Sequence, residues 1–358
     1  VKMRVLATLS ETYARIGLPE KAEERARAAL ELAKQIYGEE HTETAMAYYR
    51  LGEPVLMKSR LDEAEEIFKK SIEIERKASP NGSAFLGASL SMLSEIQVRR
   101  SNLKEAVRLS EEAVAMNRKF IGEVSRQTAT SYTGLGRANE RLGSLDNAET
   151  NYRQAININR QLLPASRVSY AESLLGLGSV LSKLGKFEEA ERSLLETQSI
   201  FREVQGTSSM PTAEIQNYLL NFYYLKGDYK RAESLGAENR QMFIDNGGKD
   251  TNGYFTSLDY LGVSLAKNGK TKEGEELVRE SLEKRLKSAT PTDWRIFNSK
   301  NLLAVCLIEQ NKFDEAEKLL VESKDFFSKT FGENDSRTRE TNKYLQQLSN
   351  KKDSKKTQ

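Results

Sequence analysis

The sequence predicts an all-α fold, a right-handed α-solenoid of eight helix-turn-helix repeats with a C-terminal capping helix. Three columns of equivalent residues predict this fold, because each column recurs every 42 residues without insertion or deletion. They are a small residue in the second helix, a leucine in the first helix and a turn residue between the two helices. One helix pair cannot bury its own apolar face, so stacked pairs form the core of a solenoid.

The small residue marks the position at which the second helix of each repeat faces the first. It leaves space for a leucine that precedes it by 13 residues, and we expect both columns to be buried. The small residues are Ala22, Ala64, Ala106, Ala148, Ala190, Ala232, Gly274 and Ala316. The leucines are Leu9, Leu51, Leu93, Leu135, Leu177, Leu219, Leu261 and Leu303.

A turn separates the two helices of each repeat, five positions before the small residue. Its residue types leave a helix easily or tolerate a left-handed backbone. These turn residues are Gly17, Ser59, Ser101, Gly143, Gly185, Gly227, Gly269 and Asn311. Between repeats six and seven, residues 244–255 contain three glycines and are predicted to form a flexible joint.

The two ends of the array differ. Residues 335–349 form one more helical segment, richer in polar residues and suited to be a solvated cap. The solenoid then covers residues 1–350, and residues 351–358 are predicted to be a disordered basic tail. At the start, the chain opens directly in the first helix of repeat one, and we expect an upstream segment to cover its apolar residues.

Composition and charge exclude several classes of function. The chain has 55 Lys and Arg against 52 Asp and Glu, and this near balance argues against nucleic acid as a partner. The lone Cys306 and the lone His41 exclude an internal disulfide, a cysteine-based zinc cage and a multi-histidine metal site. No apolar run is long enough to cross a bilayer, so we expect no direct membrane insertion. A cytoplasmic protein without cofactor or metal is predicted.

Apparent catalytic motifs are explained by the repeat. The GLG sequences at 134–136 and 176–178 lack the third glycine of a dinucleotide fingerprint, and residues 269–271 lack the upstream glycine of a phosphate loop. Neither a nucleophile elbow nor a kinase catalytic loop is present. The segment is therefore predicted not to be an enzyme, which leaves open a catalytic domain upstream.

The repeat resembles the tetratricopeptide repeat, in the 42-residue variety of kinesin light chains and many bacterial proteins. The small, turn and leucine columns all match over residues 2–350, and residues 37–45 and 331–339 are similar to that variety's linkers. The resemblance implies a protein-interaction scaffold that binds peptide segments of partner proteins in a concave groove. Similar arrays follow the catalytic domain of bacterial serine/threonine kinases, so the sensory or scaffolding region of a larger enzyme is the alternative. A regulator that reads small peptides is a third possibility.

The resemblance also places candidate peptide-binding residues on the first helices, which would line an open trough. Asparagine there resembles the residues that hold a peptide backbone, since an amide both donates and accepts. The row formed by Arg137, Arg141 and Lys183 suggests that the middle of the trough favours acidic or carboxylate-bearing partners. The candidates are Thr133, Arg137, Glu140, Arg141, Ser179, Lys183, Asn217, Asn221, Tyr224, Lys267 and Asn301, with Leu175, Ser182 and Asp259 at related positions.

Overall fold

The computed structural model describes residues 1–333 and 335–356. It divides into two compact units: the first consists of Val1–Arg141 and Thr150–Ser169, and the second of Leu142–Glu149 and the chain from Tyr170 onward. Seventeen helices and no strand occur among the described residues. Eight successive helix pairs followed by one final helix agree with the predicted α-solenoid of eight repeats and a cap.

Odd-numbered helices are the first helices of the repeats, and even-numbered helices are the second. Their bounds are α1 Lys2–Arg15, α2 Pro19–Tyr37, α3 Thr42–Met57, α4 Leu61–Ala78, α5 Ala84–Arg99, α6 Leu103–Phe120, α7 Arg126–Leu142, α8 Leu145–Gln161, α9 Arg167–Lys183, α10 Phe187–Gln205, α11 Met210–Lys226, α12 Tyr229–Asp245, α13 Asn252–Lys267, α14 Thr271–Ser288, α15 Trp294–Glu309, α16 Phe313–Phe331 and α17 Ser336–Lys356.

The two predicted packing columns form the core of the repeats. The small residue is buried in all eight repeats. The leucine is buried in repeats two to eight, whereas Leu9 in repeat one is exposed because no preceding helix covers α1. Each remaining leucine lies between its own second helix and the preceding repeat, so stacking rather than local propensity holds these helices in place.

The turn residue has a positive φ in every repeat, from 58° at Ser59 to 91° at Gly269. The left-handed backbone ends the first helix and directs the chain into the second. Three of these residues, Ser59, Ser101 and Asn311, are not glycine. The prediction made from the turn column is therefore confirmed in all eight repeats.

A further pair of positions, 16 residues apart, keeps the volume between the two helices of a repeat nearly constant. A Cβ added at Gly52 would overlap the ring of Phe68, and one added at Gly178 would lie 2.7 Å from the side chain of Leu194. Repeat six reverses the sizes, because Leu220 lies on its first helix and Gly236 on its second. We expected repeat six to pack differently, and this exchange of large and small residues is the difference.

A ladder of glutamates joins successive repeats. The residue after the small residue accepts hydrogen bonds from the first-helix end and turn of the next repeat. Glu233 accepts from Asn268 at 2.7 Å and from Lys270 at 2.6 Å, and the same geometry recurs at Glu23, Glu191 and Glu275. We refer to these four residues as the glutamate ladder.

The final helix corrects the prediction for the C-terminal tail. Helix α17 runs from Ser336 to Lys356, so the predicted capping helix is present but longer, and the prediction that residues 351–358 are disordered is wrong for 351–356. Lys351 donates to Glu309 at 3.2 Å and Lys352 to Glu317 at 2.7 Å. These ion pairs repeat the spacing of earlier repeats and fasten the last helical turns. Residues 357 and 358 lie outside the described part.

The predicted joint at 244–255 corresponds to the connection between α12 and α13. Its backbone is fixed by hydrogen bonds, including one from Asn246 Nδ2 to the carbonyl of Ser208 at 2.7 Å. Gly253 is buried, and a Cβ there would overlap the carboxylate of Glu214. This glycine therefore permits close packing, and flexibility of the joint stays a prediction.

Candidate peptide-binding surface

Each unit has a first-helix face, the surface formed by its odd-numbered helices. Neighbouring first helices contact each other directly, as α1 does with α3, α11 with α13, and α15 with α17. In the first unit the face consists of α1, α3, α5 and α7 as far as Arg141. In the second unit it consists of α9 from Tyr170, α11, α13, α15 and α17.

In the first unit, the candidates lie together on α7 but differ in access. Thr133 is buried, and its hydroxyl donates to the carbonyl of Ala129 at 3.1 Å, so its assignment as a peptide contact is wrong. Arg137 is exposed and donates to Glu95 at 3.0 Å. Glu140 is half-buried and accepts from the hydroxyl of Tyr152 at 3.1 Å, and Arg141 is half-buried.

Sequence reasoning missed a row of carboxylates on this face. Glu11, Glu53 and Glu95 precede Arg137 at the same 42-residue spacing, which was the available signal. Arg50 donates to Glu11 at 2.8 Å. Burial raises the pKa of Glu53, and the negative charge of Glu11 adds to this increase. The first-helix face of the first unit therefore carries both signs of charge.

In the second unit, two candidate asparagines hold the fold together. Asn217 is buried and donates to the carbonyl of Gly253 at 3.0 Å, and Asn301 is buried and donates to Thr341 Oγ1 at 2.8 Å. Each amide thus binds the next first helix instead of a peptide backbone. Their assignment as peptide-binding residues is wrong, because the partner of each amide comes from the adjacent repeat.

Tyrosine side chains fill the same face between α11 and α17. Tyr224 is buried, its ring centroid lies 6.0 Å from that of Tyr260, and its hydroxyl is in hydrogen-bonding contact with Tyr344. Leu302 and Leu348 belong to the same cluster. Burial raises the pKa of Tyr224 and of Tyr344. The expected open trough, and Tyr224 as a peptide contact, are therefore wrong for this part of the face.

The other candidates of the second unit remain nearer the surface. Lys183 on α9 is exposed, whereas Ser179 and Asn221 are half-buried. Lys267 is half-buried and pairs with Glu309 at 2.5 Å.

Three related positions have structural contacts. Leu175 is half-buried, and buried Ser182 donates to the carbonyl of Gly178 at 2.6 Å. Asp259 is buried, pairs with Arg285 at 3.4 Å and accepts from Ser299 at 2.8 Å. Burial raises the pKa of Asp259 despite the arginine. Asp259 therefore joins α13, α14 and α15 inside the fold.

The unusual single residues have structural positions. Cys306 is buried on α15, and burial raises the pKa of its thiol. The Nδ1 atom of His41 accepts from the backbone N–H of Glu43 at 3.1 Å at the start of α3. Within the described residues, no group of His, Cys, Asp and Glu is arranged to hold a metal ion. None of the helices searched there has the length and apolar character needed to span a membrane.

Stacked helix pairs with small residues at their crossings, left-handed turns between them and a final capping helix define a tetratricopeptide-repeat protein. The chain belongs to the family described as the MalT-like TPR region, which matches residues 4–255. The tetratricopeptide interpretation of the sequence is thereby confirmed. No curated protein matches the chain.

Solved structures share this fold at low sequence identity. BtubC (BKLC) from P. vanneervenii is 21% identical with a TM-score of 0.53, over 64% of this chain and 94% of that chain. The apo form of RapI is 14% identical with a TM-score of 0.64, over 98% of each chain. A Rap protein complexed with Competence and Sporulation Factor is 14% identical with a TM-score of 0.63, over 98% of this chain and 99% of that chain.

Proposed function

We propose that the chain is a non-enzymatic protein-interaction scaffold that binds peptide segments of partner proteins. Its membership of a tetratricopeptide-repeat family and the exposed charged residues on its first helices support this function. Rigid stacked repeats can present a preformed surface, which reduces the ordering cost that a peptide complex has to overcome.

The binding surface in this proposal is the first-helix face of the first unit. The observation that carries the choice is the tyrosine cluster, which fills the corresponding face of the second unit between α11 and α17. On the first unit, Arg137, Glu140 and Arg141 lie beside Glu95, so a bound segment would carry charges of both signs. A carboxylate of the partner would replace Glu95 as the acceptor of Arg137, and a single such hydrogen bond contributes about 1.5–3 kcal/mol.

Ser179, Lys183, Asn221 and Lys267 form a second group of proposed contacts, on the second unit. They are half-buried or exposed in the structure. We also retain a cytoplasmic location as a proposal. The attachment to a serine/threonine kinase stays a prediction, and the coding sequence upstream of Val1 tests it through the presence or absence of a kinase signature.

Affinity capture tests the proposed surface. The purified chain, the variant Arg137→Glu/Arg141→Glu and the control Lys104→Glu/Lys318→Glu are each used to capture proteins, followed by mass spectrometry. The control makes the same change in net charge at exposed positions of second helices. We expect the first variant to lose partners that the control retains. Equal capture by all three proteins would exclude this surface.

A further inference from the structure

Exposed apolar residues are concentrated where α6 leads into α7 and where α8 leads into α9. Both connections belong to the first unit. We call these residues the edge patch. Each is between 37% and 45% exposed, and they are Phe120, Ile121, Val124, Leu163 and Val168.

Hydrogen bonds place the two connections side by side. The guanidinium of Arg126, at the start of α7, donates to the carbonyl of Ala165 at 3.2 Å. Lys119 at the end of α6 donates to the carbonyl of Asn81 at 3.0 Å and fixes the same edge to the preceding connection. The edge patch is therefore one continuous part of the surface, held by its own backbone contacts.

The fold does not require apolar residues at this edge. The equivalent connections after α10 and α12, residues 206–209 and 246–251, contain only glycine, hydroxyl, amide and charged residues. Exposed apolar surface gains about 25 cal/mol for each Å² removed from water, and contiguous patches of it mark interaction sites. The edge patch is thus a surface that a partner would stabilise by covering.

The charge around the edge patch indicates the chemistry of that partner. Residues 118–126 and 160–168 include five basic residues and one acidic residue, Glu123. The whole chain has a formal net charge of only +3, so positive charge is concentrated here. Arg118 pairs with Glu123, which compensates part of it. A partner complementary to this edge carries carboxylates beside its apolar side chains.

We propose that the edge patch binds an acidic peptide segment that contains bulky apolar residues. Its apolar side chains pack on Ile121 and Leu163, and its carboxylates lie near Lys119 and Arg126. This inference rests on the proposed scaffold function and adds a second surface to it, away from Arg137 and Arg141. Burial of the apolar anchors supplies affinity, and the basic residues select acidic segments.

Fluorescence anisotropy with defined peptides tests the inference on the full chain. The probe is a short labelled peptide in which Leu and Phe alternate with Glu. Comparison peptides replace Glu by Lys, or Leu and Phe by Ser. We expect the acidic apolar peptide to bind and both comparison peptides to bind at least about tenfold more weakly. The variant Ile121→Asp/Leu163→Asp should weaken the first peptide by a similar factor, and Lys119→Glu should weaken it less.

Val321→Asp is the matched control, since Val321 is a similarly exposed apolar residue on α16. It should bind like the unchanged chain, and thermal unfolding of each variant checks that it folds. Ile121→Ser/Leu163→Ser repeats the test without added charge. Absence of peptide binding, or binding that these edge variants do not change, overturns the inference. Vesicles of phosphatidylserine and phosphatidylcholine that bind the chain in place of the peptide would also overturn it. A capture result that still depends on Arg137 and Arg141 would leave the scaffold function standing.

Discussion

Ser59, Ser101 and Asn311 hold a left-handed backbone that glycine holds in the other five repeats. For a residue with a side chain this conformation costs roughly 1–2 kcal/mol. Glycine removes the strain but loses about 0.5–1 kcal/mol through the greater freedom of the unfolded chain. The balance favours glycine at these turns, so three repeats are less stable at this position than the others.

Replacing Ser59 by glycine should therefore stabilise the chain by about 0.5–1 kcal/mol. The free energy of unfolding in urea measures the change. Gly185→Ser is the matched reverse substitution, because Gly185 has a φ of 74° and open space around it. It should destabilise the chain by a similar amount, and a stabilising effect there would contradict the explanation.

Charge is also decided residue by residue, and Glu275 is the clearest case. Burial opposes its ionisation, but hydrogen bonds from Lys312, Arg279 and Gln310 outweigh this and lower its pKa to about 2. Because the pKa is lower in the folded chain, the stabilisation is present above the unfolded-state pKa near 4.5 and is lost as the pH falls towards 2.

Glu275→Gln should consequently destabilise the chain at neutral pH, by on the order of 2 kcal/mol, and have little effect at pH 2. Unfolding free energies measured across this pH range provide the test. Glu276→Gln, its neighbour on α14, serves as the control. An effect of Glu275→Gln that does not change with pH would show that charge is not its cause.

At the scale of helices, packing depends on paired sizes. Gly178 and Leu194 face each other across α9 and α10, and the side chain of Leu194 occupies the space that a Cβ at position 178 would need. Close-packed interiors tolerate neither an added nor a removed group well. The two residues should therefore act as one unit in mutational experiments.

Gly178→Ala should destabilise the chain by about 1–3 kcal/mol and Leu194→Ala by about 2–5 kcal/mol. The double variant should be more stable than the sum of the two predicts, because the shorter side chain at 194 makes room for the new Cβ. Gly134→Ala is the control, since Gly134 is helical and has nothing within 4 Å of an added Cβ. That change should stabilise the chain by about 0.5–1 kcal/mol, and strict additivity of the first pair would contradict the packing argument.

For the whole chain, the sequence predicted what the period determines and missed what distant repeats share. The leucine, small-residue and turn columns specified the helices because their contacts lie within one period of 42 residues. The period also placed Asn217 and Asn301 on first helices, but it contained no signal that the adjacent helix supplies a partner for each amide. Tyr224 and Tyr344 are 120 residues apart, and their contact depends on the curvature of the second unit.

Removing the ring of Tyr344 tests how the second unit closes its first-helix face. Tyr344→Ala should destabilise the second unit by about 3–5 kcal/mol and expose Tyr224, whose pKa should fall towards 10. Spectrophotometric titration of tyrosine follows the second effect. Tyr344→Phe should retain most of the stability, since the ring stays in place. An unchanged titration of Tyr224 in the alanine variant would show that other side chains keep this face closed.

The glutamate ladder has a consequence for how the gene can change. Each rung joins a repeat to its immediate successor, so the contacts on either side of an excised period are able to meet. Loss of residues 52–93 would join Leu51 to Ser94 and bring Arg100 opposite Glu23, where Lys58 lies now. The genome can therefore shorten or extend this protein in steps of 126 nucleotides, three for each of the 42 residues, while every junction that forms is one the chain already uses.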